Sequence, residues 1–440
     1  MNTVVQLANS LEEHWMPFTA NRSFKSNPRM ISGAKGMYYS TDRGEKILDA
    51  SAGLFCVAAG HGRPEISEAV NKVLQEMDFV PPFGYGHPLS FEVARRVARL
   101  TPGDLNQVFF TNSGSESVDS ALKIALAYHK ARGEGQRMRL VGREKSYHGV
   151  NFGGISVAGM VNNKKAFGLG LPGVCHLRHT MLPEHQYVRG QPETGVELAD
   201  DLQRFVDLHG ADQIAACIVE PIAGSIGCIV PPKGYLQRLR EICDRYGILL
   251  IFDEVICGFG RTGKPFGADS FEVVPDIMTM AKALSNGVVP MGAVAVSEKI
   301  YETITQAAGE HLIELFHGYT YSGCPVATAA SRAALDIYEQ EDLFNRSAAM
   351  APAFLDAVFS MQDLPVVNNI RGYGLLAGLD LAPMNGTPGL RGAHVTQELF
   401  EAGLMAKMTG DCALLSPPFI VEESHIDEMA TKLRAVLSKH

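Results

Sequence analysis

Ile248-Leu249-Leu250-Ile251-Phe252-Asp253 is an unbroken apolar run closed by a carboxylate. An apolar run this short and without alternation reads as a strand covered on both faces, as in a sheet layered between helices. An earlier run, Ile214-Ala215-Ala216-Cys217-Ile218-Val219, closes on Glu220 in the same way. Between the two, Tyr235, Leu236, Leu239, Ile242 and Cys243 recur at helical spacing. Upstream, Gln107 to Phe110 and Met138 to Gly142 read as further strands, separated by a helical stripe at Val118, Ala121, Leu122, Ala125 and His129. Strands alternating with helices predict βαβ units and an α/β fold with a mostly parallel central sheet. Beyond residue 330 the pattern changes to helices over 325–340 and 344–360 and short strands near 375–380 and 412–416. That change predicts a smaller α+β domain built from both termini. The expected division is an N-terminal segment 1–55 joining the small domain, a large domain 56–325 and a C-terminal small domain 326–440.

Composition narrows the function class. The chain has 440 residues, 46% hydrophobic and 20% charged, with a net charge of −9. Such a balance argues against a nucleic-acid or anionic-membrane surface and favours small-molecule chemistry. The eight cysteines include no Cys-x-x-Cys pair, and several sit in apolar runs. They read as reduced core thiols of a cytoplasmic protein, with no disulfide framework and no metal site. The start carries Glu12 and Glu13 and shows no signal-peptide pattern. Apolar runs are broken by Gly or Pro before reaching the roughly 20 residues of a membrane span.

Polar residues fall where an open α/β sheet places ligands, at the carboxyl ends of strands. Glu220 ends one strand, Asp253 the next, and Lys282 follows Ile277-Met278-Thr279-Met280-Ala281. A lone lysine beside an apolar run usually snorkels to solvent. A buried one without a partner has a lowered pKa, and its neutral amine is the nucleophile that imine chemistry needs. Thr111-Asn112-Ser113-Gly114-Ser115-Glu116 opens the helix after the 107–110 strand, with Ser113 and Glu116 at capping-box spacing. Alone it reads as an ordinary cap; beside the other three positions it reads as an anion site at a helix N-terminus. An anion site, a strand-terminal Asp, a buried Lys and the nearby aromatic Tyr147 together describe a pyridoxal 5'-phosphate pocket.

These residues carry a resemblance that runs over nearly the whole chain. It rests on His14 to Arg22, Gly86 to Phe91, Thr111 to Glu116, Tyr147 to Asn151, Val219-Glu220-Pro221, Phe252 to Ile256, Lys282 with Asn286-Gly287, and His317 to Ser322. The chain resembles the class III aminotransferases of the fold type I pyridoxal phosphate enzymes, and among them the ω-amino acid–pyruvate or β-alanine–pyruvate transaminases. The resemblance implies that Lys282 forms the imine with the cofactor, that Asp253 pairs with its pyridinium nitrogen, and that both are catalytic. It implies that Val255 and Tyr147 flank the ring and that Glu220 lies behind it. Ser113, Gly114 and Ser115 would hold the phosphate, completed by Thr320 of a neighbouring subunit in a homodimer or homotetramer. The reaction implied is ping-pong transfer of an amino group from an ω-amino acid or primary amine, such as β-alanine, to pyruvate or a similar small oxo acid.

Departures from the family pattern bear on the substrate. The arginine by which ornithine and GABA transaminases bind carboxylate aligns with Leu414, and its glutamate partner in the ornithine enzymes with Ser225. The arginine that clamps carboxylate in ω-amino acid–pyruvate transaminases aligns with Lys407, which keeps the charge and loses the two-point fork. Phe55 stands where the subgroup commonly has Trp, and Phe18, Phe55, Phe83 and Tyr147 are expected to line an apolar substrate pocket with Ser225 and Lys407. Cys324 stands where His is common. The rival readings are a taurine- or diamine-specific transaminase and an aminomutase of the same fold. Leu284-Ser285-Asn286-Gly287, in place of the Gly-Gly-Gly of aminomutases, speaks against the latter.

Overall fold

The computed structural model describes residues 11–440. Its centre is a seven-stranded sheet. The strands are β1 (Gln107–Thr111), β2 (Arg139–Arg143), β3 (Cys175–Leu177), β4 (Ile214–Val219), β5 (Leu249–Asp253), β6 (Ile277–Met280) and β7 (Gly292–Val296). Their spatial order is β1-β7-β6-β5-β4-β2-β3. Pairings β2·β3, β2·β4, β4·β5 and β5·β6 are parallel, while β7 runs antiparallel to both β6 and β1. The sheet is therefore mostly parallel, as the apolar runs indicated. The sequence reading missed β7, a short Gly-Ala-Val-Ala-Val run of small residues, although the helix that follows it, Glu298–Gln306, buries Ile300 and Ile304 at helical spacing.

Both faces of the sheet are covered, and the period-two alternation of a strand decides which residues go where. Leu249 and Ile251 join one apolar layer with Val118, Ala121, Leu122 and Ala125 of α1 (Gly114–Ala131). Leu250 and Phe252 point the other way, into a layer with Leu236, Leu239, Ile242 and Cys243 of α2 (Tyr235–Tyr246). The helical stripes recognised in the sequence are thus the faces that cover the sheet.

The two ends of the chain meet. Strands Ile31–Lys35, Tyr38–Thr41 and Lys46–Asp49 form an antiparallel set, and Leu404–Met405 adds to Lys46–Asp49 in parallel. A second four-stranded sheet takes Val367–Tyr373, Leu376–Leu381, Cys412–Leu415 and Lys407–Thr409, in that order and all antiparallel. Helix α3 (Pro325–Gln340) packs against Pro64–Glu76 and against the turn that follows β6. Among the described residues no helix is long and apolar enough to cross a membrane, and no His, Cys, Asp and Glu cluster could hold a metal ion. All eight cysteines are free.

Gly142 of β2 is fixed by close packing. A Cβ there would lie 1.9 Å from the Val157 carbonyl oxygen. We expect Gly142→Ala to destabilise the fold by about 1–3 kcal/mol, as overpacking does, read as a lowered urea midpoint with an unchanged slope.

Candidate active site

Neighbouring strand ends bring the chemistry together. Val219 pairs with Phe252 and Asp253 with Thr279 across β4, β5 and β6, so Glu220, Asp253 and Lys282 emerge at one edge of the sheet. They line a cavity of about 110 Å³ with Gly114, Ser115, Tyr147, His148, Gly149, Val255, Ile256 and Ala281. This is the carboxyl edge at which open α/β sheets bind ligands.

Lys282 begins a short 3-10 turn, Lys282–Ser285, in the left-handed region at φ 51°. A non-glycine residue in that region is strained, at roughly 1–3 kcal/mol, and is held there by its surroundings. Those surroundings are specific. Tyr338 of α3 donates to the Ala283 carbonyl at 2.5 Å. The Asn286 side chain accepts from Ala59 N at 2.8 Å and donates to Gly60 O at 3.0 Å. The Lys282 amine makes no hydrogen bond or ion pair with any described residue. Burial holds its pKa below that of a free lysine, against the opposing pull of Asp253 first and then of Cys56, Glu220 and Cys257.

Asp253 is oriented by three donors. His148 Nδ1 donates to Oδ2 at 2.8 Å, and Thr279 Oγ1 and Val255 N donate to Oδ1 at 3.1 and 3.2 Å. The other ring nitrogen of His148, Nε2, is buried and has no partner among the described residues. Glu220 accepts from Tyr147 N at 3.0 Å, and burial pushes its carboxyl up to about 7. The Arg143 guanidinium donates to the Glu220 carbonyl at 3.0 Å. Glu254, next in sequence to Asp253, turns away from the cavity and accepts from Gly267 N and Ala268 N at 2.9 and 2.7 Å, with its carboxyl pushed up to about 8 by burial.

The anion loop opens α1, a helix of 18 residues. Ser113 caps it by accepting from Glu116 N at 3.1 Å. The reciprocal half of the capping box is displaced by one residue, since the Glu116 carboxylate accepts from the backbone and side chain of Asn112 at 2.7 and 2.9 Å. The Gly114 and Ser115 amides lie in the first turn, where no preceding helical carbonyl exists to take them. Gly149 closes over them. A Cβ on Gly149 would lie 2.4 Å from Ser115 Oγ, which itself accepts from Val150 N at 3.1 Å.

The expected substrate residues are distributed. Tyr147 lines the lysine cavity. Phe18 and Lys407 line a separate groove of about 500 Å³ with Ser51, Gly53, Leu54 and Met405. Phe55 lines neither; its side chain is in the core at 4% exposure, and its neighbour Leu54 faces the groove instead. Phe83 is exposed beside Gly318, and Thr320 is exposed on the same segment, away from the lysine cavity of its own chain. Leu414 is buried in the sheet opposite Lys407, and Ser225 is half-buried outside both cavities. The loop that carries Ser225 does meet an arginine, Arg371, which donates to Gly227 O at 2.9 Å. Its charge is already taken by Asp380, which it binds in two-point fashion at 2.7 and 2.8 Å.

Sequence reasoning quoted His148 and Asn286 within motifs and gave neither a role. The available signals were the position of His148 between Tyr147 and Gly149, and an Asn-Gly pair directly after the lysine turn.

Comparison with known proteins agrees with this arrangement. Residues 19–437 match the family model for aminotransferase class III. The chain is 55% identical over 433 residues to an omega-aminotransferase of Caulobacter vibrioides, covering 98% of both chains. It is 47% identical to the beta-alanine–pyruvate aminotransferase of Pseudomonas aeruginosa, over 96% of this chain and 94% of that one. Among solved structures, the omega transaminase of Pseudomonas jessenii in complex with PMP superposes with a TM-score of 0.91 at 32% identity, covering 98% of each chain. A match across nearly all of the chain, with the sheet edge assembled as described, identifies this protein as a member of the class III aminotransferases.

Proposed function

We propose that this aminotransferase uses pyridoxal 5'-phosphate to move the amino group of an ω-amino acid or primary amine, β-alanine being the type case, to pyruvate or a similar small oxo acid. The observation that carries the reading is the half-buried Lys282 amine, which has no hydrogen-bond or ion-pair partner among the described residues, in the same cavity as a triply hydrogen-bonded Asp253. The donor set fits the cofactor. Gly114 and Ser115 offer free helix N-terminal amides to a phosphate, with Ser113 capping the turn, and the close approach of Gly149 to Ser115 leaves no space there for a side chain. Tyr147 and Val255 supply an aromatic and an aliphatic wall. When bound, the cofactor contributes an aldehyde carbon and a protonated ring that withdraws electrons.

The chain's own groups do the rest. With its pKa lowered by burial, Lys282 Nζ gives up its proton more readily than a free lysine and would serve as the nucleophile toward the aldehyde. The same Nζ would also be the base that takes the proton from the carbon bearing the amino group. Asp253, fixed by His148, Thr279 and the Val255 amide, offers a carboxylate to a ring N–H and stabilises its positive charge. Glu220 holds the backbone of Tyr147 and so fixes the aromatic wall. Lys407 is the candidate contact for the substrate carboxylate, with Phe18 in the same groove; Phe55, Phe83 and Ser225 line neither that groove nor the lysine cavity in the single chain.

The active unit on this reading is at least a homodimer, with Thr320 of the partner subunit completing the phosphate site. Exposed apolar side chains support it: Phe79, Phe83, Tyr85 and Phe91 on one segment and Leu312, Ile313, Phe316 and Tyr321 on another are uncovered in the single chain. Phe79 and Tyr321 already meet edge to face at 5.9 Å. Apolar surface of this extent marks a protein contact. The proposed division of the chain into 1–55 with 326–440, around 56–325, follows the pairing of Lys46–Asp49 with Leu404–Met405.

The purified enzyme should be yellow, bleach on addition of β-alanine and regain colour with pyruvate. Lys282→Ala should lose at least about 10²-fold in turnover. Colour that persists through a broad panel of ω-amino acids and amines would sink the reading.

Burial of Lys282 also makes a stability prediction for the cofactor-free protein. Its pKa is lower in the folded than in the unfolded state, so the unfolded chain binds the extra proton between the two values. The penalty is therefore full below the folded pKa and relieved as pH rises toward that of free lysine. We expect cofactor-free Lys282→Met to melt a few degrees higher than wild type at pH 7 by calorimetry, with the gap closing as pH approaches 10.

A further inference from the structure

We propose that Arg29 is a second carboxylate-binding cation, acting with Lys407 in one groove to select substrates that carry an acid group over uncharged amines. The inference rests on the transaminase reading above and extends it to the substrate class.

The groove of about 500 Å³ is bounded by helix Asn21–Ser26, the loop Ser51 to Leu54, helix Leu390–Glu401 and strand Lys407–Thr409. Among its described lining residues only Arg29 and Lys407 are charged, and no Asp or Glu is present. Neither cation has a carboxylate within ion-pair distance among the described residues. Arg63, Arg96, Arg238 and Arg240 each pair with two carboxylates.

What does hold the two cations is neutral. Arg29 Nη1 donates to Gln397 Oε1 at 2.7 Å, and the guanidinium carbon lies 5.6 Å from the Phe24 ring centroid. Its Nε and Nη2 make no hydrogen bond with any described residue, which leaves free one edge of the fork that matches a carboxylate. Lys407 Nζ donates only to the carbonyl of its neighbour Met408, at 2.9 Å. Burial lowers the pKa of both groups with no acid to offset it.

Two half-buried, uncompensated cations in one groove are stabilised by an anionic ligand. A lysine in place of the family's arginine gives up directional recognition at position 407, and the Arg29 fork supplies it from the other wall. Phe18, Leu54 and Met405 give the groove apolar surface against which a short alkyl chain can pack. The ligand class that fits is a short ω-amino or oxo acid.

The test uses the holoenzyme and its first half-reaction, followed by loss of colour, with β-alanine and with propylamine, which lacks the acid. Propionate, which has the acid and no amine, is titrated by calorimetry. For Arg29→Gln we expect half-saturation by β-alanine and the Kd of propionate each to rise about tenfold, as for loss of one charge-assisted hydrogen bond. The maximal bleaching rate and the response to propylamine should stay within about twofold of wild type. Lys25→Gln, which removes a cation whose amine bonds Glu12 at 2.7 Å outside the groove, should change nothing. If Arg29→Gln does not fold, Arg29→Lys is read instead, with a smaller weakening in the same direction. An Arg29 variant that leaves β-alanine and propionate unaffected, or weakens propylamine equally, overturns the proposal, as does the same loss in Lys25→Gln. Failure of wild type to react with either amine would overturn the transaminase reading, and propionate binding would still report on Arg29.

Discussion

Desolvation of one amine governs the architecture around it. Lys282 lies in a cavity where no described residue hydrogen-bonds it, and a charged ammonium there would forgo its hydration shell. Burial lowers the pKa of the amine and so favours the neutral state that attacks a carbonyl, and the geometry is fixed by placing Lys282 in a strained left-handed conformation at φ 51°. Strain of that kind persists only when neighbouring contacts outweigh it. Tyr338 and Asn286, one from α3 and one from the turn itself, are those contacts. Asp253 is the complement: a carboxylate that stays in place because three donors fix both of its oxygens.

The legible part of this structure was the part governed by periodicity. Continuous apolar runs at 214–219 and 248–252 gave the buried parallel strands, because a strand covered on both faces cannot alternate. Once those strands were placed, their terminal polar residues had to share an edge, and Glu220, Asp253 and Lys282 do. Hydrogen bonds made by side chains to residues far away in sequence were less visible. His148 reaches Asp253 across 105 positions and Asn286 reaches Ala59 across 227, and nothing in local spacing announces either contact. Strand β7 was missed because its five residues are small and the run is short, although the helix after it packs Ile300 and Ile304 into the same layer as Val294 and Val296.

The substrate side was legible only through departures from a pattern. On the resemblance, Lys407, Leu414 and Ser225 are the positions expected to depart from the family pattern, and two of them can be set beside what the structure packs there. Leu414 fills a core position opposite Lys407, and the arginine that does approach the Ser225 loop, Arg371, is already neutralised by Asp380. An acid group entering the enzyme therefore finds no free arginine on that side. Lys407 and Arg29, in the groove beside Leu54, have no carboxylate partner among the described residues.

One loop joins that groove to the lysine. Asp49 accepts from the amides of Ser51 and Gly53 at 2.9 and 2.7 Å and from the His61 ring at 2.8 Å, so the segment between them is tied at its start and its end to the same carboxylate. Its first residues line the groove. Its last residues, Ala59 and Gly60, are gripped by Asn286, four positions after Lys282, and Cys56 packs so closely on Gly287 that a Cβ there would meet Sγ at 3.0 Å. The distance from an acid held in the groove to an amine presented at Lys282 is thus set by a short, doubly clamped stretch of backbone. A substrate whose acid and amino groups match that span gains both contacts without deforming the loop. Preorganisation of this kind turns a small difference in substrate length into a difference in rate.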